Sequence, residues 1–393
     1  MNENNIEIEP KEYTENVYAI ILTHFENLKY LDIVVPYIQR LYGPIICYPA
    51  LSLYDLLPTT FSSSTLTKLS INVKDLNGVH SLLDGRLIQL NTLIIHVQLV
   101  TNWLPTSYSM DSLSNLKCFS LTCYNVTGEY DKTVLYFIRQ MSHLEELTLI
   151  LHISGRNILK HGNDFDNKIL IHMEQLRRFT FYIQSVEEII DPTVPISISD
   201  IEQSFKNKKY GQVTCMIDYL TYSLILYRIF SLPTKFHYLD RISNNIPNII
   251  FNSVTHLKLK DENPFKHEFF VRLQRSFPNV EYLSISNIQQ PYWRYEERYL
   301  LEKGWCSIIE FSHLIVLDVK DAHPYYLEHF LNETKTHLPC LTELKVNYDK
   351  LEDVTKNFRK DEMRRNCSRV HRIIIEGPIV YAEHVYRFFP SLL

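Results

Sequence analysis

Along this chain one arrangement of apolar positions keeps returning: an aliphatic residue, two spacers, an aliphatic, one spacer, an aliphatic. It reads LKYLDI (28–33), LTKLSI (66–71), LNTLII (90–95), LKCFSL (116–121), LEELTL (144–149) and LRRFTF (176–181). It resumes as VTHLKL (254–259), VEYLSI (280–285), LIVLDV (314–319), LTELKV (341–346) and VHRIII (370–375), with a weaker copy, YGQVTC (210–215), in the gap. The period-two alternation predicts a short strand at each copy. Helical stripes precede several of them: Val134, Ile138 and Met141; Phe270, Leu273 and Phe277; Leu327, Leu331, Thr334 and Leu338. Spacings of three and four residues put each set on one face of a helix.

The unit is thus helix, turn, strand, recurring at roughly 30 residues, which is the mark of a leucine-rich-repeat solenoid. The expected fold is α/β, a curved parallel sheet inside with helices outside, in about twelve irregular repeats. One such unit cannot bury its own apolar face, so stacking supplies the core. Twelve strands at ~4.8 Å spacing give a concave sheet on the order of 50 Å long. The alternative is an ordinary α/β sheet with crossover helices, which rarely keeps so constant a spacing. The turn position three after the last aliphatic usually holds Asn or Cys; here it is Tyr124, His152, Glu262, Ile288 and Ala322 in five copies. These turns must find other partners.

Residues 184–247 break the rhythm. DPTVP (191–195) reads as an extended linker. Ser199 is placed to cap a helix running to about Lys208. VTCMIDY and SLILYRI then read as two strands of a hairpin. The expectation is one domain, 1–393, with an irregular waist at about 184–250; two separately folded halves are the alternative. The N-terminus enters the first repeat without a polar cap, which suggests a neighbouring domain.

Composition narrows the function. Gly numbers only 9, and no two lie closer than Gly78/Gly85 or Gly155/Gly162. That excludes the glycine-rich loops that cradle phosphates, and no cofactor is expected. Net charge is -5, divided as -6 over residues 1–190 and +1 over 191–393. Neither half is basic enough for a general polyanion binder. The longest apolar runs, near 17–22 and 224–230, are far short of a membrane span. Seven scattered cysteines without CxxC read as buried thiols in a reducing compartment, so the expected location is the cytoplasm, with the nucleus also open. Sequons at Asn125, Asn332 and Asn366 match chance frequency for this composition.

Several segments resemble the repeat region of F-box/leucine-rich-repeat proteins: LSLYDLLPTTFSSSTLTKLSI (51–71), LLDGRLIQLNTLII (82–95), NLKCFSLTCY (115–124), SHLEELTL (142–149) and PFKHEFFVRLQRSFP (264–278). The resemblance covers nearly the whole chain. It implies substrate recognition for a ubiquitin ligase, with the F-box binding an adaptor and the repeats binding the substrate. Nothing before Leu28 fits an F-box, and LLPTTF (56–61) lacks the helical sequel. An adaptor is therefore expected as a partner only if an F-box lies upstream.

Catalytic chemistry finds little support, and no enzymatic activity is expected. HEFFV (267–271) begins like a zinc-protease motif, but Val271 stands where the second histidine belongs. His329, Glu333 and His337 fall at i, i+4, i+8 of an expected helix and read as a solvated face opposite Leu327 and Leu331. The run 356–372 carries Lys356, Arg359, Lys360, Arg364, Arg365, Arg369 and Arg372. It reads as the exposed face of a helix, and a nucleic-acid-binding solenoid using it is the alternative function. With Phe358 alone interleaved, stacking on bases is weakly supplied. A scaffold unrelated to ligases is a third reading.

If the motif aliphatics face the core, the alternate positions face inward on the concave sheet. The N-terminal column is mostly small and neutral, Ser70, Thr92, Ser120, Thr148 and Thr180 among them, with Arg178 and Tyr182 at its end. The C-terminal column is charged: His256, Lys258, Lys260, Tyr282, Ser284, Asp318, Lys320, Glu343, Lys345, Asn347 and Arg372. These residues are the candidate partner-binding face, and the expected partner is a protein segment of acidic or mixed charge.

Overall fold

The computed structural model describes residues 12, 14–34, 50–53, 56–57, 59–100, 115–128, 130–154, 161–188, 197–221, 224–290, 307–377 and 380–392. The chain is α/β and divides into two compact units, Met1–Pro233 and Thr234–Leu393. The division falls inside the interval where the sequence loses its rhythm. The DPTVP segment lies outside the described residues.

The first unit is built on an eight-stranded sheet. Strands β1 (Tyr30–Ile33), β2 (Lys68–Val73), β3 (Thr92–Val97), β4 (Cys118–Thr127), β5 (Glu146–Ser154) and β6 (Arg178–Glu188) lie parallel, side by side, in chain order. The expected hairpin is present: β7 (Gln212–Thr221) pairs antiparallel with β8 (Leu224–Leu232), which pairs antiparallel with β6. YGQVTC is therefore the start of an antiparallel edge strand and not a further parallel copy. Its single clear aliphatic, Val213, could not by itself distinguish the two.

Helices α1 (Ala19–His24), α2 (Leu76–Leu82), α3 (Leu135–Arg139), α4 (Gly162–Lys168) and α5 (Ile198–Ser204) accompany these strands. Ser197 caps α5 by accepting the Asp200 N–H at 3.1 Å, so the cap lies two residues before the one expected at Ser199, and the helix stops short of Lys208. Gly162 is required where α4 meets the end of α5, since a Cβ there would lie 2.2 Å from the Ser204 carbonyl oxygen.

In the second unit six parallel strands run in the order β16 (Arg372–Ile374), β15 (Glu343–Lys345), β13 (Val316–Asp318), β11 (Tyr282–Ile285), β10 (His256–Leu259), β9 (Tyr238–Ile242). A separate two-stranded sheet joins β12 (Ile309–Glu310) to β14 (Thr336–His337). The helices are α6 (His267–Ser276), α7 (Pro324–Leu331), α8 (Tyr348–Thr355), α9 (Arg364–Cys367) and α10 (Glu383–Phe388). Strand β9 departs from the motif because it carries an irregularity. Arg241 sits at φ 50 and the register shifts between Leu257 and Leu259, so one extra residue separates Leu239 from Ile242.

Motif aliphatics form the cores as expected. Leu116, Phe119 and Leu121 are buried in the first unit, as are Val280, Leu283, Ile285, Leu341, Leu344 and Val346 in the second. Side chains at the turns tie neighbouring strand connections together. Asn115 donates to the Ile88 carbonyl at 2.8 Å and Asn279 to Asn252 at 2.9 Å, each across 27 residues. Asn125 donates to Gln98, and Asn287 to Asn263 at 2.8 Å. The missing turn asparagine is thus supplied from neighbouring positions such as Asn287, just before Ile288. Among the described residues no helix is long and apolar enough to cross a membrane.

Candidate interaction face

The polar side of the second sheet is assembled from rungs fixed by strand register. One rung runs Tyr238, His256, Tyr282, Val316, Glu343, Arg372; another passes through Lys258, Ser284, Asp318 and Lys345. The register thus brings eight of the eleven C-terminal candidate residues onto adjacent positions of a single face. Lys260, Lys320 and Asn347 follow the carboxyl ends of their strands.

These side chains are linked to one another. Tyr282 donates its hydroxyl to Asp318 at 2.8 Å, and its ring stacks on His256 at 5.7 Å and 17°. The Lys345 ammonium lies 4.9 Å from the Tyr282 ring centre, and that of Lys258 lies 5.7 Å from Tyr238. Cations over aromatic faces gain from the ring quadrupole. Glu343 pairs with Arg372 and Lys320 with Glu376, both at 3.4 Å. Asn347 accepts the Lys350 N–H at 3.1 Å and so caps α8, while the Lys350 ammonium donates to the carbonyls of Lys320 and Ala322.

Electrostatics follow from burial. Lys258 is only 8% exposed, and burial lowers its pKa; Asp240 and Asp318 act in the opposite direction, and Lys345 adds to the lowering. His256 is pushed down to about 4 by burial and then by His237 and Lys258, so it is a neutral stacking surface. Ser284 is half-buried at the middle of the face, and Lys260 and Arg372 are exposed.

The two first-unit candidates differ from these and from each other. Arg178 is exposed and pairs with Glu146 at 3.5 Å. Tyr182 is fully buried and donates to Gln184 at 2.7 Å. Gln184 also accepts from Arg228, which is ion-paired to Asp218; both members of the pair are buried. Tyr182 therefore belongs to a sealed polar network and not to an open surface. Strand alternation gives only the side of the sheet, and depth depends on packing that a motif does not encode.

Two further readings change. His329, Glu333 and His337 do not share a solvated helical face: α7 stops at Leu331, His337 lies in β14, and His329 is buried. Asn332 ends the helix by accepting the N–H and hydroxyl of Thr334 at 3.0 and 2.7 Å. The basic run is not one helix either. Lys356, Asn357 and Phe358 all have positive φ, at 52, 53 and 59°, between α8 and a 3-10 turn at Asp361–Met363. Its cations are dispersed: Lys360 pairs with Glu328, Arg364 with Asp361, Arg372 with Glu343, and Arg369 donates to the Pro339 carbonyl.

The remaining candidates are structural in their surroundings. Asn366 is 1% exposed, donates to the carbonyls of Phe330, Leu331 and Thr336, and accepts from Leu338. Burial pushes the Cys123 thiol up to about 11 and Cys215 to about 12, away from reactive thiolate. A small pocket at the carboxyl ends of β2, β3 and β4 is lined by Asn72, His96, Gln98, Thr122 and Tyr124, with no formally charged carboxylate, lysine or arginine. No protein-family model and no curated protein matches the chain.

Proposed function

We propose that this chain is a non-catalytic protein-interaction module whose partner lies across the polar face of the second sheet. The observation that carries the reading is the pair of adjacent rungs of charged, hydroxyl and aromatic side chains across β9, β10, β11, β13, β15 and β16, interrupted at Val316 and Ile374 and held in register by parallel pairing. Tyr and Arg at such a face offer large contact area with few rotors, the composition of binding hot spots. Cations and anions alternate, with Asp318 and Glu343 among Lys258, Lys320, Lys345 and Arg372. The fitting partner is a segment of mixed charge rather than a uniformly acidic one.

In the same reading the chain is a leucine-rich-repeat solenoid serving as the substrate-recognition region of an F-box-type ubiquitin ligase receptor. Sequential order of the parallel strands within each unit and turn-to-turn hydrogen bonds across 24 to 27 residues support the solenoid. The ligase role rests on the sequence resemblance alone. Proximity labelling in cells, followed by direct binding of the purified candidate, tests the interaction. A pull-down of the ligase adaptor, with and without sequence upstream of Met1, tests the ligase assignment. Adaptor binding in neither case removes it.

A further inference from the structure

Helix α7 carries a histidine where a proton is hard to hold. His329 is 1% exposed, and neither of its ring nitrogens has a hydrogen-bond partner. Aromatic rings enclose it: Phe270 at 4.9 Å and His267 at 5.3 Å from α6, with Tyr325 at 5.8 Å and Phe330 at 5.6 Å from α7 itself. A neutral imidazole here leaves one donor and one acceptor unmet. An imidazolium would leave two donors and a full charge unmet. An aliphatic side chain would fill the space with neither penalty, so packing alone does not account for histidine.

The surrounding charges do not relieve the site. On α6, His267 sets its Nε2 at 3.1 Å from the Ser307 carbonyl, and Glu268 acts favourably on the charged form of His267 only. Lys335, in the turn before β14, disfavours a proton on both imidazoles. The α7 carboxylate Glu328 is held by Lys335 at 3.6 Å and Lys360 at 3.0 Å. His337 of β14 and Glu310 of β12 pair with each other at 3.4 Å. Burial first, then His267 and Lys335, hold His329 well below the ordinary value of 6.5.

The same helix anchors parts of the unit that flank the polar face. The Tyr326 hydroxyl accepts the Phe265 N–H at 3.0 Å and donates to the Gln289 carbonyl at 3.1 Å. Gln289 lies in the turn after β11, where Asn287 accepts the His323 N–H at 2.8 Å. Displacing α7 therefore breaks links at the carboxyl ends of β11 and β13.

We propose that His329 makes the seating of α7 against α6 proton-sensitive: the neutral ring keeps the helix docked, and proton uptake, which requires water at the ring, releases it. The sign follows from linkage. The docked state is neutral and the open state titrates near 6.5. Above that pH docking is at full strength; below it, opening grows about tenfold per pH unit. Release would loosen the turns beside the proposed binding face, but the inference rests on the helix packing and not on any partner.

Hydrogen–deuterium exchange of the full chain, corrected for the pH dependence of the chemical exchange rate, tests it. Between pH 7.5 and 5.5, peptides covering 265–276 and 324–337 should lose about tenfold in protection, while a peptide covering 146–154 should change little. His329→Leu and His329→Gln, which cannot titrate, should keep most of that protection at pH 5.5. Wild-type protection unchanged to pH 5, or an equal acid loss in a folded variant, would overturn the proposal. Should neither variant fold, nitrogen-detected imidazole spectra of the wild type decide. A neutral His329 ring in the docked unit at pH 5.5 upholds the proposal, and a protonated ring in the docked unit sinks it.

Discussion

At the β6–β8–β7 end of the first sheet, polar groups are sealed away from water. Arg228 is 0% exposed, its partners Asp218 and Gln184 are buried, and Tyr182 closes the network. On the second sheet the corresponding side is half-buried, and its polar groups pair with one another: Tyr282 with Asp318 and Glu343 with Arg372 across neighbouring strands, and Lys320 with Glu376 beyond the strand ends. The strands differ in step, from up to 11 residues in the first sheet to 3–5 in the second. Long strands let β6, β7 and β8 cover one another's polar atoms within one sheet. Short strands keep these side chains near a strand end, and although Lys258 and Tyr282 are buried, Ser284, Asp318, Glu343 and Lys345 are half-buried and Arg372 is exposed. The same alternation of sequence thus yields a structural network in one unit and a candidate recognition face in the other.

The sharpest way to break this contrast is to remove one member of each kind of pair. Asp218→Ala should destabilise the first unit by about 3 to 5 kcal/mol, because it leaves a buried guanidinium without its counter-ion. Arg372→Ala, at an exposed pair, should change the second unit by less than about 1 kcal/mol. Denaturant titrations with a probe in each unit measure both, and similar losses would erase the distinction. Leu147→Ala and Leu283→Ala examine what the units have in common. Each should cost about 2 to 5 kcal/mol if the motif aliphatics form tightly packed cores.

Much of that core was legible because strand period and aliphatic spacing both come from local chain geometry. The hairpin at β7 and β8 was legible for the same reason. What escaped depended on contacts distant in sequence or on single-residue irregularities. Arg241 shifted β9 out of the motif. Asn287 took over a turn role one residue before the position where asparagine was sought. His329 lies within α7 and is buried by Phe270 and His267 of α6, residues distant in sequence, while Glu333 and His337 fall past Asn332, which ends the helix. For the candidate face, alternation supplied the membership of the second-sheet set, Lys258 through Lys345. It could not tell that Lys258 is buried, that Asn347 is a helix cap, or that Tyr182 lies inside a network.

Smaller effects refine the picture of the second unit. Asn366→Ala should cost about 2 to 3 kcal/mol, since it strips partners from Leu338 and from three carbonyls in a buried turn. A loss within experimental error would mean that water replaces the amide. Lys356→Gly should have the opposite sign. It relieves a left-handed residue at φ 52 and should stabilise by about 0.5 to 1 kcal/mol after the flexibility of glycine is counted. Thermal or denaturant midpoints of the single variant settle the sign.

The central claim is that a protein partner lies across the polar face of the second sheet. Its most direct test is the affinity of a purified, verified partner for a variant carrying Ser284→Trp and Lys260→Glu. Ser284 is half-buried at the centre of the face, between Lys258 and Asp318 in one rung, and Lys260 is exposed at its edge, so the pair blocks the surface while the core aliphatics stay in place. The account predicts at least tenfold weaker binding with unchanged unfolding midpoint, and no such loss for Ile171→Glu, an exposed position on the first unit. Wild-type affinity in the double variant, with its fold intact, would contradict it.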